Sequence, residues 1–379
     1  MKQRGIKDTS ALFVLNLCNI NFNNIMKRVF VFFVILLNFF WVYAQKETEY
    51  SLNKKLDLLK QHNHAFITMG DTIRDPFITC GPDGNYYLTG TTADSNWGDT
   101  IGVKVWMSTN LCDWKSLGFV WQLYKDGKDG WFFNRPSHKI GAKNPYAVWA
   151  PELRFMNDTW WITVSRNGGG NGLLKSITGT INGPYEETNI HYNEGIDSHL
   201  FCDGDNHYYA FGSNKIGLMD NKMDSICKNQ FVDLKVPGKH PMGYEGIFLM
   251  KYADKFLWIA SGRYGYEPTN TYDLYYSVSD SLMQGYAPRR MMIKNAGHGS
   301  LVCDKNGNWW CTAFDHEYTE HWCCWLVPIN IKEVSGDIII EVLDERFRPT
   351  DLDQEVVRRL SKTGIPKEWK GKKFWWRPQ

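Results

Sequence analysis

Residues 197–209 of this 379-residue chain read Asp-Ser-His-Leu-Phe-Cys-Asp-Gly-Asp-Asn-His-Tyr-Tyr. A short apolar stretch, a polar turn and an aromatic stretch, in this order, predict a β-hairpin. The same arrangement occurs five times, each time with a residue suited to an active site 11 positions before an aromatic residue. The five leading residues are Asp75, Trp149, Asp197, Glu245 and His298, and the five aromatic residues are Tyr86, Trp160, Tyr208, Phe256 and Trp309.

The leading residues are 74, 48, 48 and 53 positions apart. A recurrence of about 50 residues, with two or more strands in each unit, is typical of propeller blades. We therefore predict an all-β fold: a five-bladed β-propeller that forms a single domain over residues 64–349, preceded by a signal peptide. Because the innermost strand of each blade lines a central channel, the five leading residues should converge on one spot.

The blades are expected at about 64–146, 147–192, 193–240, 241–294 and 295–349. The first is longer than the others because it contains residues 126–144, which we interpret as an inserted loop on the channel rim, where specificity is usually decided. Residues 350–379 are predicted to form a helix at 351–363 and a basic aromatic tail that packs on the propeller.

The amino-terminal residues predict that the protein is exported from the cytoplasm. Residues 26–44 begin with Lys27 and Arg28, continue with an apolar stretch and end at Ala44, which is typical of a secretory signal peptide. Cleavage after Ala44 would leave residues 45–63 as a linker with a short helical leucine pattern, and residues 1–25 as an over-extended translation start. We expect a periplasmic or secreted protein without membrane attachment after cleavage; a retained anchor is the alternative.

Charge and cysteine content exclude several classes of protein. The formal net charge is +2, and the first 44 residues carry five Lys/Arg and one Asp, so the remaining 335 residues carry −2. This balance argues against nucleic-acid binding. Eight cysteines follow residue 44 without CxxC or zinc spacing. Cys80, Cys202 and Cys303 hold similar places in their repeats, and we predict that they are buried in the blade cores.

Three of the leading residues are acids, and this composition indicates glycosidic bond hydrolysis. That reaction needs one carboxyl group that is protonated to release the leaving oxygen, and one that is ionised to activate water or to attack directly. Asp75, Asp197 and Glu245 occupy matching repeat positions. A carboxylate near Glu245 would raise the pKa of Glu245 by repulsion, and Asp197 is suitably placed for this role.

The ordered set of motifs resembles glycoside hydrolase family 43. The motifs are Arg-Asp-Pro at Asp75, Trp-Ala-Pro-Glu at 149–152, Gly-Ile-Asp at Asp197, Tyr-Glu-Gly at Glu245 and Gly-His-Gly at His298. The resemblance covers about residues 64–349 and implies an inverting enzyme with Asp75 as general base and Glu245 as general acid. It implies that Asp197 tunes the pKa of Glu245 and orients it. Ser198 stands where the family commonly has proline.

Other residues have less specific signals. Trp149 is interpreted as an apolar wall of a sugar subsite or as blade packing, and Arg263 as a ligand of sugar hydroxyls, a partner of Asp197 or a surface ion pair. Through the resemblance, His298 belongs to the channel floor near a cation or water, although a structural histidine fits equally. No cofactor is required, but a structural calcium bound through waters at His298 remains open. Glu152 is expected to hold a strand or loop.

Two functions from different classes remain. The first is an exo-acting glycosidase that releases terminal sugars from plant-type polysaccharides or oligosaccharides, for which the resemblance implies α-L-arabinofuranosidase or β-xylosidase first and β-galactosidase or galactanase activity second. The other is a carbohydrate-binding propeller without catalysis, which the aromatic content supports equally. A binding module, however, needs no second or third carboxylate in register.

Overall fold

The computed structural model describes residues 52–92, 97–133, 146–262, 271–314 and 322–364. Residues 52–61 form a helix, α1, within the predicted linker. The predicted signal peptide and the tail from residue 365 lie outside the described residues. None of the helices in these ranges is both long and apolar enough to cross a membrane.

A strand of two residues, β1 (Phe66–Ile67), precedes in sequence the inner strands of five antiparallel sheets. The first sheet contains β2 (Arg74–Cys80), β3 (Tyr86–Thr91), β4 (Gly102–Ser108) and β5 (Lys115–Gln122). The second contains β6 (Val148–Met156), β7 (Thr159–Arg166), β8 (Asn171–Ser176) and β9 (Tyr185–Tyr192). The third contains β10 (His199–Asp203), β11 (Asn206–Phe211), β12 (Lys215–Leu218) and β13 (Val232–Asp233).

The fourth sheet contains β14 (Glu245–Tyr252), β15 (Lys255–Gly262), β16 (Asp273–Ser279) and β17 (Arg290–Ile293). The fifth contains β18 (Leu301–Cys303), β19 (Trp309–Ala313), β20 (Trp325–Val334) and β21 (Asp337–Val342). The predicted five-bladed β-propeller is confirmed: each sheet is one blade, and its strands follow one another in sequence order except for β1, which joins the fifth sheet.

The β1 strand corrects the predicted start of blade one. Phe66 pairs with Leu326 and Ile67 with Trp325, so β1 joins β20 of blade five. Blade one therefore begins with β2. The pairing ties the amino-terminal end of the propeller to its last blade, which removes a free sheet edge and closes the ring.

The predicted hairpins are present, but their constant 11-residue spacing arises in different ways. Blades one and five have five-residue turns, and the other three blades have two-residue turns. At the turn between β6 and β7, both Asn157 and Asp158 have positive φ, as a type I′ turn requires. Register shifts near the starts of β2, β6 and β14 each insert one extra residue into the inner strand.

Tryptophan packs the blades. In the part of the chain that the structure describes, five tryptophans are fully buried, and they lie in blades one, two, four and five: Trp106, Trp121, Trp161, Trp258 and Trp310. Aromatic rings can stack on sugars, but these five pack the sheets instead. Each large ring removes apolar surface from water.

Side chains from the inner strands fill the axis of the propeller. The guanidinium of Arg154 lies 4.8 Å from the ring centre of Phe77 and 5.7 Å from that of Phe248. His199 packs against Phe248 at 4.9 Å and accepts or donates a 2.6 Å hydrogen bond at Nδ1 with Glu152. This buried polar and aromatic layer forms a floor under the ends of the strands at which the candidate catalytic residues lie. Glu152 thus joins two inner strands, in keeping with the structural role expected of it.

The prediction for three cysteines is wrong. Cys80 and Cys202 are exposed and Cys303 is partly exposed, whereas Cys112, Cys311, Cys323 and Cys324 are buried. The three misassigned residues lie at or near the far ends of their inner strands, where the hairpin turns approach solvent. None of the eight cysteines after residue 44, all of which lie in the described ranges, forms a disulfide bond.

The carboxy-terminal helix, α2 (Asp351–Thr363), is present where it was expected. Thr350 caps it with a capping box, accepting from the Asp353 backbone N–H while the Asp353 side chain accepts from the Thr350 backbone N–H. The Gln354 side chain connects this helix to blade four. It accepts a hydrogen bond from the Met291 backbone N–H and donates one to the Met291 carbonyl.

Candidate active site

One backbone feature recurs where the inner strands begin. Each blade has a residue there with a positive φ, a backbone conformation that residues other than glycine rarely adopt. The residues and φ values are Asp75 at 50°, Ala150 at 40°, Asp197 at 55°, Gly246 at 69° and Gly297 at 69°. These residues lie within one position of the five leading residues. Left-handed backbone at these places re-aims the neighbouring side chains, and strained residues of this kind cluster at functional sites.

Hydrogen bonds from the preceding blade hold all five of these segments. Thr91 of blade one accepts from the Ala150 N–H at 2.7 Å, and Ser165 of blade two accepts from the Asp197 N–H at 2.6 Å. The remaining three bonds run from the Ile247 N–H to the Gly212 carbonyl, from the Gly297 N–H to the Tyr272 carbonyl, and from the Thr312 hydroxyl to the Pro76 carbonyl. The site is therefore built at the seams between blades.

The structure brings Asp75, Asp197 and His298 together. His298 Nδ1 lies 3.6 Å from Asp75 Oδ1 and 3.5 Å from Asp197 Oδ2. Both distances exceed those of good hydrogen bonds, so a hydrogen bond from this ring nitrogen does not fix either carboxylate. A closer contact fixes Asp75, since the Thr91 hydroxyl donates to its Oδ2 at 2.7 Å.

Gly246 permits this close assembly. A Cβ at this position would lie 2.8 Å from His298 Cδ2 and 2.8 Å from Ser261 Oγ. The backbone N–H of Gly246 also donates to the Asp197 carboxylate. The glycine thus provides close approach for the His298 ring and a donor for Asp197.

Glu245 completes the acid cluster from blade four. Its Oε1 accepts a hydrogen bond from the Tyr272 hydroxyl. Tyr272 stacks on Tyr244, with ring centres 6.0 Å apart and an interplanar angle of 5°. A guanidinium also acts on this acid: Arg74 lies between the rings of Phe314 and Trp322, at 4.8 and 4.6 Å, and its charge opposes protonation of Glu245.

Burial and mutual repulsion raise the pKa of two of the acids. Burial raises the pKa of Asp197 well above its ordinary value, and repulsion from Glu245 and Asp75 adds to it. Burial likewise raises the pKa of Glu245, with a further increase from Asp75, while the Tyr272 hydrogen bond opposes the change. Since each acid penalises the ionised form of its neighbour, the cluster favours retention of a proton within it.

The start of the predicted rim loop lies on the face where the inner strands begin. Arg166 donates to the Trp131 and Phe132 carbonyls at 3.0 and 2.9 Å. Glu187 accepts from the Trp131 backbone N–H at 2.8 Å, and burial raises the pKa of this carboxyl. Residues 134–144 of the predicted loop lie outside the described residues.

The model for glycosyl hydrolases family 43 matches residues 69–326. The chain belongs to this family. The match contains all five leading residues, and the acid cluster of this family 43 hydrolase lies inside it.

Solved structures share the fold. A thermostable family 43 glycoside hydrolase superposes with a TM-score of 0.55 at 19% identity, covering 76% of this chain and 97% of that chain. BlXynB from Bacillus licheniformis has a TM-score of 0.55 at 21% identity and covers 76% of this chain but 58% of that chain. An α-L-arabinofuranosidase from Clostridium thermocellum has a TM-score of 0.53 at 17% identity, covering 73% and 93%. A search of curated proteins finds no match.

The other predicted site residues divide into three cases. Trp149 is buried at the start of β6, opposite Ser165 in the ladder, and its role as a sugar-binding wall stays a prediction. Arg263 lies outside the described residues. His298 is in the acid cluster, yet the described residues contain no group of three or more His, Cys, Asp or Glu side chains placed to hold a metal ion. The calcium expectation stays a prediction, and no chemical step below uses a metal.

The residues that hold the acids in place give little signal in the sequence. Thr91 and Ser165 stand at the ends of second strands, where a hydroxyl gives little signal on its own. Arg74 was visible only as part of Arg-Asp-Pro. Tyr272 follows Glu245 by 27 positions and has no equivalent in the repeat pattern, so only the fold reveals its contact.

Proposed function

We propose that this family 43 hydrolase is an inverting exo-glycosidase that removes terminal sugars from oligosaccharides or polysaccharides. The observation that carries the proposal is the cluster of Asp75, Asp197 and Glu245, in which Glu245 has a raised pKa. One carboxyl group that keeps its proton beside another that can accept one is the arrangement required for inversion.

In the proposed reaction, Asp75 acts as general base. The Thr91 hydroxyl donates to Asp75 Oδ2, so Oδ1 is available to accept a proton from water. As this proton moves to Asp75, the water oxygen forms a bond to the anomeric carbon, and the glycosidic C–O bond breaks. Glu245 gives its proton to the departing oxygen, which leaves as a hydroxyl group. A sugar hemiacetal and an alcohol result, and both acids regain their starting states by proton exchange with water.

In this proposal, Asp197 acts on the general acid Glu245 and does not contact the glycosidic bond that breaks. It is buried, and it interacts electrostatically with both Glu245 and Asp75. The two carboxyl groups titrate together, because a charge on Glu245 disfavours ionisation of Asp197 and raises the pKa of Asp197. This supports a role for Asp197 in tuning and orienting Glu245.

The proposed sugar is arabinofuranose or xylose, with β-galactosidase or galactanase activity as the alternative within the family. The similar proteins include an α-L-arabinofuranosidase and an exo-1,5-α-L-arabinanase, the latter from a bovine ruminal metagenomic library and 16% identical with a TM-score of 0.52. The start of the predicted rim loop supports a pocket for one terminal sugar. Arg166 and Glu187 hold this part of the loop on the face where the inner strands begin. We also propose that the protein acts in the periplasm or outside the cell, on the basis of residues 26–44.

A screen of nitrophenyl glycosides tests the proposal. The purified protein should hydrolyse the α-L-arabinofuranoside or the β-xyloside, and Glu245→Gln purified in parallel controls for contaminating glycosidases. Hydrolysis of the β-galactoside alone would favour the alternative activity. If no glycoside is cleaved while oligosaccharides still bind, a carbohydrate-binding propeller is the correct interpretation.

A further inference from the structure

Tyr272 lies against the proposed general acid although it belongs to a different part of blade four. It directly precedes β16, and its hydroxyl donates to Glu245 Oε1. Its side chain is buried, stacked on Tyr244 and edge-on to Phe314, whose ring centre is 5.9 Å away. Its carbonyl accepts from the Gly297 N–H of blade five at 3.0 Å. The phenol therefore has a fixed position relative to Glu245.

We propose that Tyr272 is a positioning residue for Glu245. The Tyr272 hydroxyl occupies Glu245 Oε1, so that Oε2 carries the proton given to the leaving group. This inference rests on the proposed function, since it assumes that Glu245 is the general acid. A phenol has one proton to donate, and when it donates to Oε1 it favours the carboxyl rotamer and protonation site that leave Oε2 for the substrate. Without it, the proton can sit on either oxygen, and the side chain loses its anchor.

Tyr272 is suited to remain a donor throughout the working pH range. Burial raises the pKa of its phenol well above the ordinary value, and the charge of Glu245 adds to the effect. The hydroxyl therefore stays protonated when Glu245 ionises. Because a hydrogen bond to the ionised carboxylate is stronger than one to the neutral acid, Tyr272 lowers the pKa of Glu245.

Other charged groups also face Glu245. Asp75 and Arg74 approach from blade one, Asp197 from blade three and His298 from blade five. Asp75 and Asp197 disfavour ionisation of the cluster, while Arg74 and His298 favour it. A substitution at Tyr272 leaves these four groups in place, so a change in the pH dependence of the Tyr272→Phe variant reports the lost hydroxyl.

The test compares Tyr272→Phe with the unaltered enzyme on two aryl glycosides of the same sugar. On a phenyl glycoside, whose leaving group needs a proton, kcat should fall about ten-fold or more. On a 2,4-dinitrophenyl glycoside, which leaves without protonation, kcat should change by less than about three-fold. The alkaline limb of the pH–kcat profile should move up by about one pH unit, because the carboxylate has lost a hydrogen bond.

Tyr275→Phe is the matched control. Tyr275 is a buried tyrosine three positions further along the same segment, and its hydroxyl donates to Asp273 at 3.2 Å rather than to the acid cluster. It should leave both the leaving-group dependence and the alkaline limb unchanged. Equal losses on the two glycosides, or an unmoved limb, in Tyr272→Phe would overturn the positioning role.

Glu245→Gln separates this inference from the proposal on which it rests. If Glu245→Gln loses activity on the phenyl glycoside and Tyr272→Phe behaves like the control, only the role of Tyr272 is wrong. Full activity of Glu245→Gln on the phenyl glycoside would remove Glu245 as the acid and overturn both.

Discussion

Asp75 and Glu245 carry the same functional group in different surroundings. A hydroxyl from Thr91 supports Asp75, and His298 Nδ1 lies 3.6 Å from it. Glu245 faces a phenol, and burial and repulsion from Asp75 raise its pKa. Hydrolysis with inversion requires this kind of asymmetry, because base and acid must be in opposite protonation states at one pH.

Substitution of the two acids should separate their roles. We expect Asp75→Asn and Glu245→Gln each to lower kcat by several orders of magnitude on a phenyl glycoside without unfolding the protein. On a 2,4-dinitrophenyl glycoside, Glu245→Gln should lose less activity than Asp75→Asn, because that leaving group needs little protonation. Steady-state kinetics with both substrates, alongside thermal unfolding of each variant, measure this. Equal losses on both substrates would contradict the assignment, and near-normal activity would remove the substituted residue from the mechanism.

Asp197 should act through the pH dependence. The acid form of Glu245 is the active one, so activity falls as pH rises through the pKa of the coupled acids. Replacing Asp197 with Asn removes one carboxyl from the cluster and lets Glu245 ionise more readily. The alkaline limb of the pH–rate profile should therefore move to lower pH, the direction opposite to that expected for Tyr272→Phe. A limb that stays in place while the rate collapses would assign Asp197 to another role, such as binding a sugar hydroxyl.

Individual strands determine where these acids lie. A residue with left-handed backbone lies near the start of the inner strand of each blade, and the preceding blade supplies the hydrogen bond that fixes this segment. Thr91, at the end of β3, serves two blades, since it donates to Asp75 and accepts from the Ala150 N–H. The geometry of the site is thus coupled to the packing between sheets.

Thr91→Val tests this coupling, because valine keeps the shape and removes the hydroxyl. The Asp75 carboxylate loses a donor and the buried Ala150 N–H loses its acceptor, which should cost about 1–3 kcal/mol of unfolding free energy. Turnover should fall about ten-fold or more as the base loses its orientation. The control is Thr89→Val in the same strand, where the hydroxyl donates to the Lys104 carbonyl at 2.9 Å. It should reduce stability with little effect on turnover; equal kinetic losses would show that Thr91 acts only through stability.

At the scale of the whole molecule, closure of the ring lets distant parts of the chain share one site. The β1 strand completes blade five, and Thr312 of that blade donates to the Pro76 carbonyl of blade one. His298 and Asp75, 223 positions apart, are brought to within 3.6 Å. Blades one, three, four and five each supply one of the four clustered side chains.

The positions of Asp75 on blade one and Glu245 on blade four predict the stereochemical outcome. Carboxyl groups that approach from different blades leave space for water, and inverting glycosidases have about 6.5–9.5 Å between them. We expect the first sugar released to have inverted configuration at the anomeric carbon. Proton NMR, recorded before mutarotation, identifies the anomer. Retention, or a covalent adduct on Asp75, would overturn the role of Asp75 as a base.

The sequence by itself determined the blade count and the identity of the candidate acids. Hairpins are local, and their alternation of apolar, turn and aromatic residues repeats, so Asp75, Asp197, Glu245 and His298 could be picked out by their place in the repeat.

Only the tertiary structure decided the rest. The placement of β1 in blade five, the hydroxyls of Thr91 and Ser165 on the next blade, and the phenol of Tyr272 on Glu245 depend on contacts between residues with no fixed spacing. The exposure of Cys80 and Cys202 likewise depends on where each strand ends in space. A repeat in sequence records what each blade has in common, whereas the contacts between blades arise when the ring closes and differ at every seam.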